Sequence, residues 1–173
     1  QIVKLQNLQT LNLNTHLLTK LSPEIGELKK LKELYLVSNK LTSLPEELGN
    51  LTELWALYLS GNFIASFPES LENLQKLQYL SMDQMALKEL PLVFTKLQKL
   101  KNLVLSWNLL QTLPSEICNL LELQELFLSY NKITSLPEEI RHLRKIQYID
   151  IEDNPETETL KKKIHKLLPK VNV

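Results

Sequence analysis

Glycine and cysteine are nearly absent from this chain. Only three glycines occur among 173 residues, too few for a phosphate-cradling loop, and neither G-x-G-x-x-G nor G-x-x-x-x-G-K-[ST] is found. The single cysteine, Cys118, excludes an intrachain disulfide framework and any multi-cysteine metal site. Neither sign of charge prevails: 20 basic and 20 acidic residues give a formal net charge of zero. That balance argues against bulk electrostatic attraction to nucleic acid or to an anionic membrane. No apolar run approaches the roughly eighteen residues needed to cross a bilayer. No basic start followed by an apolar stretch marks a signal peptide. The chain opens on Gln1 rather than methionine, which suggests that something upstream has been removed. Apolar residues still make up 43%, enough for the core of one domain.

What the chain has in abundance is leucine at a fixed interval. Leu8, Leu31, Leu54, Leu77, Leu100, Leu123 and Ile146 stand 23 residues apart. Three residues on come Leu11, Leu34, Leu57, Leu80, Leu103, Leu126 and Ile149, and five on come Leu13, Leu36, Leu59, Met82, Leu105, Leu128 and Ile151. Eight on stand Asn39, Asn62, Asn108, Asn131 and Asn154, with His16 and Met85 as exceptions. Pro45, Pro68, Pro91, Pro114 and Pro137 follow. Such self-similarity governs every other reading of the sequence. The L-x-L piece alternates at period two, as a short strand with one buried face does. Leu48 and Leu51 are spaced as in a 3-10 or very short helical turn, and a proline near its start is tolerated because its missing N–H would be unpaired there. A single strand-and-turn coil cannot cover its own leucines, so the coils must stack. The asparagine is expected to bond backbone groups left unpaired in the bend.

These residues resemble the leucine-rich repeat family, pattern L-x-x-L-x-L-x-x-N-x-L-x-x-L-P-x-x-I-x-x-L, over essentially residues 2 to 154. The 23-residue LP-containing subtype resembles that of plant Ras-group, animal scaffold and secreted spirochaete repeat proteins. The resemblance implies an α/β repeat fold: a right-handed solenoid with a concave parallel β-sheet, convex 3-10 or short helical turns and a C-terminal capping helix. It implies protein recognition through the concave face.

The expected organisation is the end of a truncated preceding repeat (1–7), leucine-rich repeats (8–154) and a C-terminal cap (155–173). Ile2 and Leu5 sit where the last apolar positions of an earlier unit belong, so further repeats or a cap are expected before Gln1. A monomer is expected, with association through that uncapped N-terminal edge as the alternative. Leu160, Ile164, Leu167 and Leu168 mark one helical face near the other end. Glu156 and Glu158 lie early and Lys161, Lys162, Lys163 and Lys166 late, as the helix dipole favours. A solvated basic face is expected on that helix, and its tail resembles endings of the spirochaete proteins.

Strand alternation places four positions of each unit outward, at two, four, six and seven residues past its first leucine. All five tyrosines, Tyr35, Tyr58, Tyr79, Tyr130 and Tyr148, fall there, with Trp107, Phe127 and Val104. So do Glu33, Asp83, Glu125, Asp150, Glu152 and Asp153, but no lysine or arginine. Strand propensity attracts aromatics without any ligand, yet it does not put every tyrosine and no basic residue on one face. Exposed Tyr and Trp are frequent anchors of protein interfaces. The candidate binding residues are Tyr35, Tyr58, Tyr79, Asp83, Val104, Trp107, Phe127, Tyr130 and Tyr148. At about 4.8 Å per strand, seven strands span roughly 29 Å, enough for a standard interface. Basic residues such as Lys30, Lys32, Lys76, Lys99, Lys101, Arg144 and Lys145 collect on the flank leading into each strand. Only Trp55 interleaves with them, short of what base stacking on nucleic acid needs.

No catalytic arrangement is evident. His16, His142 and His165 lie in an asparagine slot, on a turn and on the terminal helix, away from the aromatic face and from any serine–carboxylate pair. Cys118 reads as a small spacer, the acidic trio near residue 150 lacks a matched cation loop, and Asn50-Leu51-Thr52 is a lone glycosylation sequon. No cofactor or metal is expected. The function expected is non-enzymatic binding of another protein, without nucleic acid or membrane insertion. The spirochaete resemblance implies a bacterial secreted or surface protein contacting host molecules; a cytoplasmic location fits the sequence equally. A scaffolding segment of a longer intracellular protein is the alternative. A glycan binder, with Asp83, Gln84 and Asn102 beside the rings, is the second. Met82 and Met85 are expected inside, with Met85 leaving its bend without an amide partner, either as tolerated wear or as a source of flexibility.

Overall fold

In the computed structural model, residues 4–173 are described; Ile2 lies outside them. Seven three-residue strands form one parallel sheet in chain order: β1 (Thr10–Asn12), β2 (Glu33–Tyr35), β3 (Ala56–Tyr58), β4 (Tyr79–Ser81), β5 (Asn102–Val104), β6 (Glu125–Phe127) and β7 (Tyr148–Asp150). Every strand residue pairs with its equivalent one unit away, so Leu11, Leu34, Leu57, Leu80, Leu103, Leu126 and Ile149 form a continuous row. Opposite the sheet run 3-10 turns at Pro23–Glu27, Glu46–Asn50, Glu69–Asn73, Leu92–Lys96, Ser115–Asn119 and Glu138–His142. The fold is a right-handed leucine-rich-repeat solenoid, with the sheet on its concave side.

The sequence pattern accounts for each part. Proline caps five of the turns with φ between −61° and −74°, the value its ring imposes. Leu34, Leu57, Leu80, Leu103 and Leu126 are fully buried between sheet and turns. Phe94 replaces the usual aliphatic on its turn and meets Phe67 edge-to-face at 5.0 Å. Gly49 lies so close to the next coil that a Cβ there would stand 2.2 Å from the Ser70 carbonyl oxygen. The first coil is looser: Leu8, Leu11, Leu13, Leu18 and Leu21 are only partly buried. Leu5 and Leu17 are exposed.

The asparagines stitch each coil to the one before it. Asn108 Oδ1 accepts from the N–H of Met85 (3.1 Å) and Leu87 (3.0 Å), while its Nδ2 donates to the carbonyls of Met82 (2.8 Å) and Leu105 (2.9 Å). Asn39 repeats all four bonds, and Asn62, Asn131 and Asn154 repeat both Nδ2 donations with one N–H onto Oδ1. An interior bend carbonyl such as Leu36 O therefore receives two amides, one from its own coil and one from the next.

This corrects the expectation for Met85. Its own bend is served by Asn108, and the group it deprives lies one coil earlier. The N–H of Leu18, Leu41, Leu87, Leu110 and Ile133 each reach an asparagine Oδ1. Among the described residues Ile64 N–H, at the equivalent place, has no acceptor, because Met85 stands in the position the other units give to asparagine. Lys40, Phe63, Leu109 and Lys132 also donate across successive bends, to Leu18, Leu41, Leu87 and Leu110 respectively; among the described residues Ala86 makes no such bond to Ile64 O. Residues Leu17 and Ala86, which directly follow the two non-asparagine positions, both turn left-handed, at φ 57° and 56°. Without the amide the bend takes a different path, and a cleft of about 830 Å³ opens between segments 63–67 and 85–91. Restoring the amide in Met85→Asn gives Ile64 N–H its acceptor and is expected to stabilise by about 1 kcal/mol. That corresponds to a melting temperature raised by about 2–4 °C, read by circular dichroism. An unchanged or lowered melting temperature would contradict this account.

At the far end, helix α1 (Thr157–Leu167) buries Leu160 and Ile164. The tail then returns to the sheet, with Ile149 N–H donating to Asn172 O and Asn172 N–H to Gln147 O, both at 2.9 Å. Edge strand β7 is thereby partly covered, which limits its open hydrogen-bonding edge. The helix lysines are not simply solvated: Lys161 pairs with Glu152 at 2.5 Å and Lys163 with Glu138 at 2.8 Å, tying α1 to the last coil. Among the described residues no helix is long and apolar enough to cross a membrane.

Candidate binding face on the sheet

Because β2 and β3 are in register, Tyr35 and Tyr58 stack with ring centroids 4.3 Å apart and planes 8° from parallel. Tyr79, two residues earlier in its unit, meets Tyr58 diagonally at 4.8 Å and 34°. Trp107 and Tyr130 stack at 3.8 Å and 11°, and Phe127 meets Tyr148 edge-on at 5.5 Å. The rings thus form two groups, one on coils two to four and one on coils five to seven. Val104 is half-buried between them.

Asp83 occupies the gap between the groups as the centre of a hydroxyl network. Its Oδ2 accepts from Ser60 Oγ (3.0 Å) and Ser81 Oγ (3.1 Å), its Oδ1 accepts from Ser106 N–H (3.1 Å), and its own N–H donates to Ser60 Oγ (3.1 Å). Ser60 and Ser81 also bond each other, and Ser129 donates to Ser106 at 3.0 Å. Ser81, expected to point out, is buried beneath its neighbours, as are Ala56, Ser106 and Ser129. Sequence reasoning missed this serine row, although Ser60, Ser106 and Ser129 share one position of their units.

A second feature hidden in the sequence is backbone strain. The seventh residue past each first leucine is left-handed throughout: Thr15, Ser38, Gly61, Gln84, Trp107, Tyr130 and Asp153 have φ between 53° and 69°. Glycine suits that conformation, whereas a bulky residue is strained there. The bend nevertheless carries Trp107 and Tyr130, 54% and 44% exposed.

The tyrosines sit among carboxylates. Tyr35 donates to Glu33 Oε2 at 2.7 Å, and that bond pushes its phenol well above the ordinary value. Tyr130 is raised chiefly by its hydrogen bond to Asp153, and Tyr79 chiefly by burial, with Asp83 and Glu125 adding to it. Each shift favours the protonated phenol. The stabilisation is therefore complete below pH 10, the unfolded value, and is lost as pH rises through the higher folded values. Phenolate absorbance from Tyr35, Tyr79 and Tyr130 should accordingly appear late in an alkaline titration and coincide with loss of near-ultraviolet dichroism; titration of these three near pH 10, followed through single Tyr→Phe variants, would refute it.

Among the described residues no group of histidine, cysteine and carboxylate side chains has metal-site geometry. His16, His142 and His165 are exposed, in the first bend, on the last 3-10 turn and on α1. Cys118 is buried, and burial pushes its thiol up to about 11, which leaves it protonated at neutral pH.

The family model described as leucine rich repeat matches residues 6–64 and 98–155, and the unmatched stretch between them contains Met85. A leucine-rich repeat protein of Leptospira interrogans has a similar structure, with TM-score 0.72 and 33% identity over 94% of this chain and 48% of its own. The plant peptide hormone receptor RGFR1, solved in complex with RGF2, shares TM-score 0.75 and 34% identity over 88% of this chain and 26% of its own. The chain thus spans about half the length of the first and a quarter of the second. No curated protein matches it.

Proposed function

The chain belongs to the leucine-rich repeat family, whose solenoids commonly serve protein recognition, and from that premise we propose that it is a non-enzymatic module binding a partner protein through the aromatic and acidic sheet face. The observation that carries this reading is the one-sidedness of the surface. Every tyrosine and Trp107 stand on one face with six carboxylates, while lysine and arginine are excluded from it. Large, half-exposed aromatic groups in stacked pairs supply much apolar area for little side-chain entropy, the property that makes such residues interface anchors. The finer reading is a bacterial secreted or surface protein that contacts host molecules; of this, likeness to the Leptospira interrogans protein supports the bacterial part alone. The receptor–peptide complex shows that one structurally similar protein binds a polypeptide ligand.

The test is the variant in which Tyr58, Tyr79, Trp107 and Phe127 are replaced by alanine. Its fold should persist, since these side chains stand outside the leucine core, and partner capture from host and bacterial extracts should be lost. Undiminished capture by a folded quadruple variant removes the sheet face as the binding surface.

A further inference from the structure

Lysine and arginine are missing from the outward strand positions, so the carboxylates on the sheet face have few basic partners. On the flanks and turns, Glu53, Glu69, Glu72, Glu122 and Glu138 each pair with a lysine. On the face, among the described residues, only Glu152 does, with Lys161. Glu33, Asp83, Glu125 and Asp150 accept from neutral groups: a phenol, serine hydroxyls and a backbone N–H, the Asn102 amide, and the Glu152 N–H; among the described residues neither these nor Asp153 form an ion pair. Neutral donors orient a carboxylate without cancelling its charge. In a chain with equal numbers of acidic and basic residues, this face therefore carries an excess of negative charge, which Lys161 beside Glu152 and Asp150 offsets only in part.

The charge gathers around the most strained aromatic groups. Glu125, Asp150 and Asp153 belong to the same two coils as Tyr130, Phe127 and Tyr148. Trp107 and Tyr130 stack at 3.8 Å in left-handed backbone where the third coil uses Gly61. Glycine at either place would relieve strain without disturbing the leucine core, so local folding gives no reason for two large half-exposed rings there. Strain kept at an exposed position points to use. An aromatic stack beside an excess of carboxylates suits a cation, which the ring face and the acids both attract. Arginine suits it best, because its planar guanidinium stacks on a ring while its edge forks onto a carboxylate.

Resting on the reading of the sheet face as a protein-binding surface, we propose that the partner presents an arginine- or lysine-bearing extended segment to coils five to seven. A basic side chain lies on the Trp107–Tyr130 stack, and neighbouring basic groups meet Glu125, Asp150 and Asp153. Charge complementarity selects this occupant. A nucleic acid or an acidic polypeptide would be repelled from the same surface, and an uncharged one would leave the acids unmatched.

Synthetic fluorescein-labelled Gly/Ser peptides bearing spaced arginines, spaced lysines, spaced glutamates or no charge provide the probes. Anisotropy follows binding to the whole chain, and in a Trp55→Phe background the remaining tryptophan fluorescence reports on Trp107. The arginine peptide should bind, the lysine peptide more weakly, and both should weaken as salt screens the charges. Affinity for the arginine peptide should fall about tenfold or more in Trp107→Gly, and again in the combined Glu125→Gln, Asp150→Asn, Asp153→Asn variant. Both variants should keep a wild-type melting profile, because glycine is at ease in that bend and the three acids lie outside the core. Equal binding of the glutamate or uncharged peptide, no binding of the arginine peptide, or undiminished binding by the neutralised variant would overturn the proposal. A natural partner lost on the quadruple aromatic variant but retained by the neutralised one would leave protein recognition standing and remove the cationic segment alone.

Discussion

Replacing Asn108 with alanine is expected to destabilise the chain by on the order of 3–5 kcal/mol, more than the same change at Asn131. The reason lies in what each amide leaves behind. At Asn131, the flanking asparagines remain: Leu105 O keeps Asn108 and Leu128 O keeps Asn154, and only Leu110 N–H loses its side-chain acceptor. At Asn108 the preceding asparagine is already absent. Met82 O would lose its only asparagine donor, and Met85 N–H and Leu87 N–H their shared acceptor, beside an Ile64 N–H that has none. An unsatisfied buried polar group costs about 1–3 kcal/mol, so several together reach the stated range after partial relaxation. Urea denaturation of both variants is the measurement. Equal costs would show that the asparagines act independently and that Met85 has not weakened this part of the array.

Leu57→Ala is the second large effect. Leu57 is fully buried on β3 between Leu34 and Leu80 in the row of equivalent leucines. Removing its branched end loses transfer free energy and leaves a cavity that stacked coils close poorly, for a cost of about 2–5 kcal/mol. In a solenoid the damage falls on the interfaces with the coils on either side. One of these, towards coil four, already lacks its amide and its cross-bend hydrogen bond. Unfolding should therefore begin there, with hydrogen exchange accelerating first at amides near the Met85 cleft. A thermal melt insensitive to Leu57→Ala would contradict the strand register itself.

The recurrence of Leu, Asn and Pro every 23 residues determined the solenoid, its sheet face and its core row, because a period that strict leaves each side chain one repeated environment. It placed Leu57 inside and Tyr58 outside by alternation alone, and it put α1 near the end from the spacing of Leu160 and Ile164. The same pattern marked Met85 as irregular. Only the tertiary structure decided which group lost its partner, since an asparagine's amide spans two coils and the deprived Ile64 N–H lies one unit earlier. Only the structure showed that Ser81 is covered, that Asp83 is braced by serines on neighbouring coils, and that the rings form two groups instead of one patch. The left-handed bend under Trp107 and Tyr130 was equally invisible, for a sequence motif records which residue stands at a position but not the backbone angle it is held to. Residue type and period set the faces of this protein; pairing between coils set how each face is braced, strained and charged.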